Sequence, residues 1–134
     1  MLRLWMDPIV RKTLLYDFYG ELLTEHQKSV FESSVFQDLS YSEIAEELST
    51  SRQAVYDLMR RSEKLLEDYE KKLGLMQRFL TAQESFSKLS GAVDSLSEII
   101  PGQGKTADEQ QVKEIRDKLN ELKCLTKQVE DVFI

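Results

Sequence analysis

The side chains best suited to chemistry stand in one short stretch, residues 51–64, where basic and amide groups recur between apolar ones. It opens with Arg52 and Gln53, and side chains of these two types form paired hydrogen bonds with guanine and adenine. Two to three helical turns further on stand three basic residues that would reach phosphates: Arg60, Arg61 and Lys64. The stretch therefore predicts a surface that contacts nucleic acid.

The elements that must position this stretch are two helices joined by a short turn. Ser40 and Glu43 have the spacing of a capping box, which predicts that a first helix begins directly after Ser40. The Ser-Thr-Ser run at 49–51 interrupts that helix, because hydroxyl side chains bond to the nearby backbone and favour turns and caps. Ser51 then caps a second helix. We interpret residues 40–64 as a helix-turn-helix.

The two faces of the second helix differ in residue type. Its predicted inner stripe begins with Val55, Leu58 and, less cleanly, Met59, and continues with Leu65, Leu66, Tyr69 and Leu73. In a helix-turn-helix, the second helix enters a groove with its N-terminal residues nearest the bases. The candidate nucleic-acid-binding residues stand at its start and on its outer side: Ser51, Arg52, Gln53, Tyr56, Arg60, Arg61 and Lys64. A plain αα-hairpin in a helical bundle, with its polar residues solvated, would show the same pattern.

The charge of the whole chain opposes this prediction, whereas the local charge supports it. The formal net charge is −6, and a domain that binds duplex DNA usually carries a basic face. Residues 51–64 nevertheless contain four basic residues and two acidic ones, Asp57 and Glu63. We therefore expect no tight non-specific binding to a duplex, while a limited contact with nucleic acid fits the composition.

The composition speaks against an enzyme. One histidine, His26, and one cysteine, Cys124, are too few for a zinc site, and no nucleophile has an evident base. The string GQGKT at 102–106 resembles the end of a phosphate-binding loop, but the required earlier glycine is replaced by Ile99. We expect no catalytic residues, no metal and no cofactor. A single cysteine and the lack of an apolar run of about 18 residues predict a cytoplasmic protein with no membrane insertion.

Periodicity predicts an all-α fold with a helix-turn-helix bundle over residues 7–74. The predicted helices are 8–22, 25–37, 41–48 and 52–73, and Gly74 ends the last of them. Helix starts are marked by Asp7-Pro8 and by a Thr24/Gln27 capping box. The end of the fourth helix, LLEDYEKKL, is expected to be charged on its outer side.

Residues 75–134 change to a heptad pattern, which predicts a helical hairpin or coiled-coil extension. The first seam comprises Leu75, Phe79, Ala82, Phe86, Leu89, Val93, Leu96 and Ile100. After a break at 101–104 the second comprises Val112, Ile115, Leu119, Leu122, Thr126, Val129 and Phe133. Additional apolar residues lie beside these seams: Met76, Leu80, Ile99, Leu125 and Val132. They predict a second contact, and we expect a homodimer through these helices.

Two strings, DFYGELLTEHQ at 17–27 and LSYSEIAEELSTSRQAVYDLMRRSEKLLEDYEKKLGL at 39–75, also carry a family resemblance. Over residues 14–75 the chain closely resembles the YlxM family of small bacterial proteins. Its members resemble, in their helix-turn-helix, the promoter-reading C-terminal domain of sigma factors. They are associated with the signal recognition particle pathway, in which a particle protein, a small RNA and a receptor GTPase target proteins to the membrane.

The resemblance implies an accessory or regulatory role in that pathway, with particle protein or RNA as partner. It also implies that Arg52, Gln53 and Tyr56 begin the recognition helix. It assigns no role to residues 75–134. Two functions stay open: an accessory factor that contacts RNA or protein through the helix-turn-helix, and a transcriptional regulator that binds duplex DNA through the same helix. The acidic chain with a small basic patch favours the first.

Overall fold

The computed structural model describes residues 6–102 and 104–133, and within them it contains six α-helices and no strand. The helices are α1 (Pro8–Tyr19), α2 (Glu25–Val35), α3 (Tyr41–Glu47), α4 (Arg52–Leu73), α5 (Leu75–Ile99) and α6 (Glu109–Phe133), with one 3-10 turn at Gly20–Leu22. The all-α prediction is confirmed. The chain forms two compact units, one ending at Gln77 and one beginning at Arg78. Gln103 and the side chain of Phe133 lie outside the described residues.

Side-chain caps begin the helices where the sequence predicts them. The Asp7 carboxylate accepts from the Ile9 amide at 2.8 Å, and Pro8 takes the first helical position. Reciprocal capping boxes start α2 at Thr24 and α3 at Ser40. The helix ends are less accurate, because α1 tightens into the 3-10 turn and α2 stops at Val35 rather than residue 37. A left-handed residue, Asp38 with φ 54°, redirects the chain after α2.

The core of the first unit forms where α4 packs against α1, α2 and α3. The inner stripe of α4 agrees with the prediction at Val55, Met59 and Leu66, which are each 1% exposed. It differs at Leu58 and Leu65, which are only half-buried, and at Leu73, which is 48% exposed. The stripe instead follows Val55, Met59, Ser62, Leu66 and Glu70. Both stripes have helical spacing, so periodicity alone could not separate them. Ser62 is accommodated because its hydroxyl donates to the Leu58 carbonyl at 2.8 Å.

A buried carboxylate, Glu70, joins the end of α4 to α1 and to the start of α5. It is 4% exposed, and one oxygen accepts from the Tyr19 hydroxyl at 2.6 Å and from the Met76 amide at 2.8 Å. Its other oxygen accepts from the Gln77 amide at 3.1 Å. The Leu75 amide donates to the Tyr19 hydroxyl at 3.1 Å. Glu70 therefore caps α5 from the preceding helix, and the expectation that this segment places its charges outward is wrong at this residue.

Between the two helices, Gly74 makes this arrangement possible. It adopts φ 65° and ψ 22°, the left-handed conformation that favours glycine, and its amide donates to the Glu70 carbonyl at 2.8 Å. A helix cap at Gly74 is thus confirmed. The reversal in backbone conformation lets the first amides of α5 turn back toward the Glu70 side chain.

The second unit contains α5 from Arg78 onward and α6, and the pairing of these helices as a hairpin stays a prediction. Its inward face on α5 consists of Ala82, Ser85, Leu89, Ala92, Leu96 and Ile99. Seven apolar residues of the two predicted seams are instead exposed, by 42% to 52%: Leu75, Phe79, Phe86, Val93, Ile100, Val112 and Leu119. The buried face of α5 is therefore shifted by about one residue from the predicted seam. The small side chains Ala82, Ser85 and Ala92 are its most buried members. Spacings of three and four residues fit either face, so the sequence could not distinguish them.

We predict that replacing Tyr19 with Phe destabilises the fold by about 1–3 kcal/mol at neutral pH, because Glu70 loses a buried donor. Burial, followed by the hydrogen bond to Glu70, raises the pKa of Tyr19 above its usual 10.0. The protonated hydroxyl thus stabilises the folded state below about pH 10, and that contribution is lost as pH rises through the folded-state pKa. The cost of the substitution should therefore shrink above pH 10.

Urea unfolding at pH 7.5 and at pH 10.5 measures both effects. Tyr69→Phe is the matched control, since it removes a hydroxyl from the half-buried ring whose centroid lies 6.0 Å from that of Tyr19. Equal losses of stability for the two substitutions would contradict a specific role for the Tyr19 hydroxyl.

Candidate nucleic-acid interface

The turn between α3 and α4 is built by backbone hydrogen bonds around one left-handed residue. Ser49 has φ 52°, and the Thr50 amide donates to the Ala45 carbonyl at 2.9 Å. The Ser51 hydroxyl then accepts from the Ala54 amide at 3.1 Å and starts α4. The two helices pack on each other through the buried residues Ile44, Ala45 and Val55. This is the helix-turn-helix that the sequence predicts.

All seven predicted site residues are exposed, namely Ser51, Arg52, Gln53, Tyr56, Arg60, Arg61 and Lys64. From Arg52 to Lys64 the helix rises by about 18 Å, at roughly 1.5 Å per residue. Ser51 differs from the others because its hydroxyl already serves as the helix cap. The remaining six have side chains that an approaching ligand can reach.

Short contacts order several of these side chains. The Arg60 guanidinium donates to the Tyr56 hydroxyl at 3.3 Å and lies 5.8 Å from the centroid of that ring. The same hydrogen bond raises the pKa of Arg60, so its charge persists at any physiological pH. The Gln53 amide donates to the Asp57 carboxylate at 3.0 Å, and Arg61 donates to the Asp57 carbonyl at 3.4 Å.

Helix α1 neutralises carboxylates that α4 would otherwise present beside these cations. Lys12 forms an ion pair with Glu63 at 2.8 Å. The Arg11 guanidinium forms a bidentate ion pair with the Glu67 carboxylate, and both N–O distances are 2.7 Å. The bond to Glu67 raises the pKa of Arg11. Within the described chain, the Lys64 ammonium and the Arg52 guanidinium have no ion-pair or hydrogen-bond partner. The exposed face of α4 is therefore basic in the folded protein.

Sequence analysis missed Lys12 as a member of this region. A cavity of about 320 Å³ brings Lys12 together with Arg60, Glu63 and Lys64. Nearly fifty residues separate Lys12 from Arg60 in the sequence, so no local spacing relates them. The basic pair Arg11-Lys12 on an otherwise apolar helix was the available signal.

Tyr41 was missed as well. A cavity of about 540 Å³ is lined by Tyr41, Arg52, Gln53 and Tyr56, which joins the first residue of α3 to the start of α4. The two tyrosine rings lie 6.2 Å apart between centroids, inclined by 65°. The only local feature that could have indicated a role for Tyr41 is its position directly after the helix cap Ser40.

The described residues offer no group of three or more histidine, cysteine or acidic side chains placed to hold a metal ion. Among the same residues, no helix has the length and apolar character needed to cross a membrane.

Comparison with known families agrees with this geometry. The sequence model of the UPF0122 family, described as "Putative helix-turn-helix protein, YlxM / p13 like", matches residues 6–103. The chain belongs to this family. The match extends beyond the 14–75 region of resemblance and includes α5, whereas α6 lies outside it.

Individual UPF0122 proteins are similar over the same region. The protein of Clostridium kluyveri is 47% identical over 91 residues, which cover 68% of this chain and 82% of that relative. Those of Shouchella clausii and Bacillus velezensis are each 44% identical, over 90 and 93 residues, covering 67% and 69% of this chain and 83% and 84% of the relatives.

We predict that the turn conformation limits which residues can stand at position 49. Replacing Ser49 with Val should destabilise the fold by about 1–3 kcal/mol, because a β-branched residue is strained at φ 52°. Ser49→Gly is the matched substitution, since glycine adopts this conformation without strain. Thermal or urea unfolding of the two variants measures the difference. If both variants unfolded at the same denaturant concentration, the left-handed turn would carry no strain.

Proposed function

We propose that this UPF0122 protein is a non-enzymatic accessory factor of the signal recognition particle pathway that binds RNA through the exposed face of α4. The observation that carries the proposal is the set of four cations between Arg52 and Lys64, all exposed on the outer part of one helix. Phosphates are recognised by cations held at this kind of surface. Two of the neighbouring carboxylates, Glu63 and Glu67, are occupied by α1.

RNA fits this surface better than a long duplex. The basic face extends over only about 18 Å, at roughly 1.5 Å per helical residue, on a chain whose net charge is −6. Such a surface can neutralise a few phosphates, while the rest of the protein repels the polyanion. A structured RNA that presents one accessible loop or strand requires only a few phosphate contacts of this kind.

The family resemblance is what supports a role in the signal recognition particle pathway, because proteins of this kind are associated with that pathway. Such a role places the protein in the cytoplasm, with the particle RNA as ligand and the particle protein as a possible second partner. A pull-down with the full chain as bait distinguishes these partners. Retention of the RNA in the absence of the particle protein is expected, and retention that requires the particle protein would indicate a protein contact instead.

Duplex DNA is the second candidate, and the helix-turn-helix itself favours it. Arg52 and Gln53 stand in the first turn of α4, where a recognition helix reads base edges in the major groove. A transcriptional regulator would use the same residues. The two candidates differ in the preferred nucleic acid, so one titration separates them.

We predict that replacing Arg60 and Arg61 together with Ala weakens binding to the particle RNA and lowers the log–log salt slope by roughly one to two units, because each neutralised phosphate adds about 0.7–0.9 to that slope. A salt titration with the particle RNA and with a DNA duplex measures it. Stability should stay within about 0.5 kcal/mol of the unmodified protein, since both side chains are exposed.

The matched control is Lys71→Ala with Lys72→Ala, which removes two exposed cations from the last turn of the same helix. This control should leave the slope unchanged. Equal slopes for both double variants would show that the Arg60/Arg61 surface does not bind nucleic acid. Steeper and tighter binding to the duplex than to RNA would favour the regulator.

We also propose a homodimer through the C-terminal helices, on a different face from the predicted one. Of the predicted contact residues, Met76 and Leu125 are buried, and Leu80, Ile99 and Val132 are half-buried. Phe86, Val93 and Leu119 are exposed by 52%, 46% and 45%, and the heptad spacing of Phe86 and Val93 suits a second copy with the same period.

We predict that Phe86→Glu shifts the mass in light scattering from dimer to monomer. Ser90→Glu, on an exposed polar position of α5, should leave the dimer intact. A monomeric unmodified protein at micromolar concentration would refute the dimer.

A further inference from the structure

The cavity at the junction of α3 and α4 combines two aromatic rings, Tyr41 and Tyr56, with two polar side chains, Arg52 and Gln53, that are able to form directed hydrogen bonds with a ligand. We infer that it binds a single unpaired nucleobase, stacked against Tyr56 and Tyr41, with the attached phosphates held by Arg52 and Arg60. This inference rests on the proposed function, and it names the ligand class: a nucleotide from a single-stranded segment or loop, rather than a base pair in a duplex.

The size and composition of the cavity suit a nucleobase. Its volume of about 540 Å³ falls within the range of roughly 300–1,000 Å³ that small-molecule sites occupy. Tyr41 and Tyr56 provide aromatic surfaces on which a base can stack. Their ring planes are inclined by 65°, so the two rings form two differently oriented walls of the cavity. Tyr56 is 40% exposed, so a ring of a ligand can reach it without unfolding the site.

The polar side chains of the cavity provide both a donor and an acceptor for a base edge. The Gln53 amide nitrogen donates to Asp57, which leaves the amide oxygen available to accept a hydrogen bond. The Arg52 guanidinium is exposed, has no partner within the described residues and carries up to five donors.

The arrangement favours an unpaired base because stacking requires a free ring face. In a duplex, both faces of every base are covered by its neighbours, and only the edges reach the grooves. Single-stranded nucleic acid is bound by aromatic side chains on which bases stack, combined with cations that follow the backbone. The Arg60 guanidinium stands 5.8 Å from the centroid of the Tyr56 ring, close enough to hold the phosphate of the same nucleotide.

The test compares Tyr56→Leu with Tyr56→Phe in the full-length protein. Leucine keeps apolar bulk and helix propensity but removes the aromatic face, whereas phenylalanine keeps the face and loses the hydroxyl. The probes are a labelled single-stranded RNA of about ten nucleotides, DNA of the same sequence, and the corresponding DNA duplex. Fluorescence anisotropy gives each dissociation constant, and thermal unfolding verifies that both variants are folded.

We expect the unmodified protein to prefer single strands over the duplex. Tyr56→Leu should weaken single-strand binding by about 5- to 150-fold, the range for loss of one base–aromatic stack, while Tyr56→Phe stays within about twofold. Tighter binding of RNA than of DNA would identify the ligand as single-stranded RNA. Equal affinities would support an unpaired base as the ligand, with no discrimination between ribose and deoxyribose.

Three outcomes would overturn the inference, and they separate it from the proposed function. Equal single-strand affinities for the Leu and Phe variants would show that no base stacks on Tyr56. Preference for the duplex would refute the unpaired base while leaving nucleic-acid binding by α4 in place. Absence of binding to every probe, and to the particle RNA, would refute both.

Discussion

The buried Glu70 carboxylate is the interaction on which the first unit depends. An unpaired carboxylate at 4% exposure would be very unfavourable, and here it accepts hydrogen bonds from α1 and from the first amides of α5. Those amides face back toward α4 because Gly74 takes the left-handed conformation. One side chain therefore fixes three helices at a single point. Side-chain hydrogen bonds therefore hold the C-terminal end of α4 through Glu70, and Ser51 caps its N-terminal end.

Anchoring at both ends leaves the two faces of α4 with separate roles. The inner face, from Val55 through Met59 and Leu66, packs against α1, α2 and α3 and supplies the core. The polar contacts of the predicted site residues on the outer face are instead made within α4 itself, as between Arg60 and Tyr56, while Glu63 and Glu67 pair with α1. Substitutions on that face thus have little effect on folding, and ligand binding can use side chains that the structure does not require elsewhere.

The sequence predicted the features that local chemistry determines and missed those that packing determines. The caps at Ser40 and Ser51 involve residues three positions apart, so their spacing is visible in the chain, and the helix-turn-helix followed from them. Glu70 resembles its charged neighbours until Tyr19, fifty-one positions away, is placed beside it. The side of α5 that faces inward, marked by Ala92 rather than Val93, likewise depends on contacts that periodicity does not specify.

The charges of α3 bear on how a nucleic acid can approach. When a helix-turn-helix binds a duplex, its first helix crosses the phosphate backbone. Here α3 exposes Glu43, Glu46 and Glu47, which would meet those phosphates with like charge. The cations begin only at Arg52, beyond the turn. An extended backbone that follows both helices is therefore disfavoured, whereas a strand or loop that touches α4 near the tyrosines avoids the acidic side of α3. The distribution of charge thus favours a contact through α4 and the first residue of α3, Tyr41, over one that follows the whole of α3.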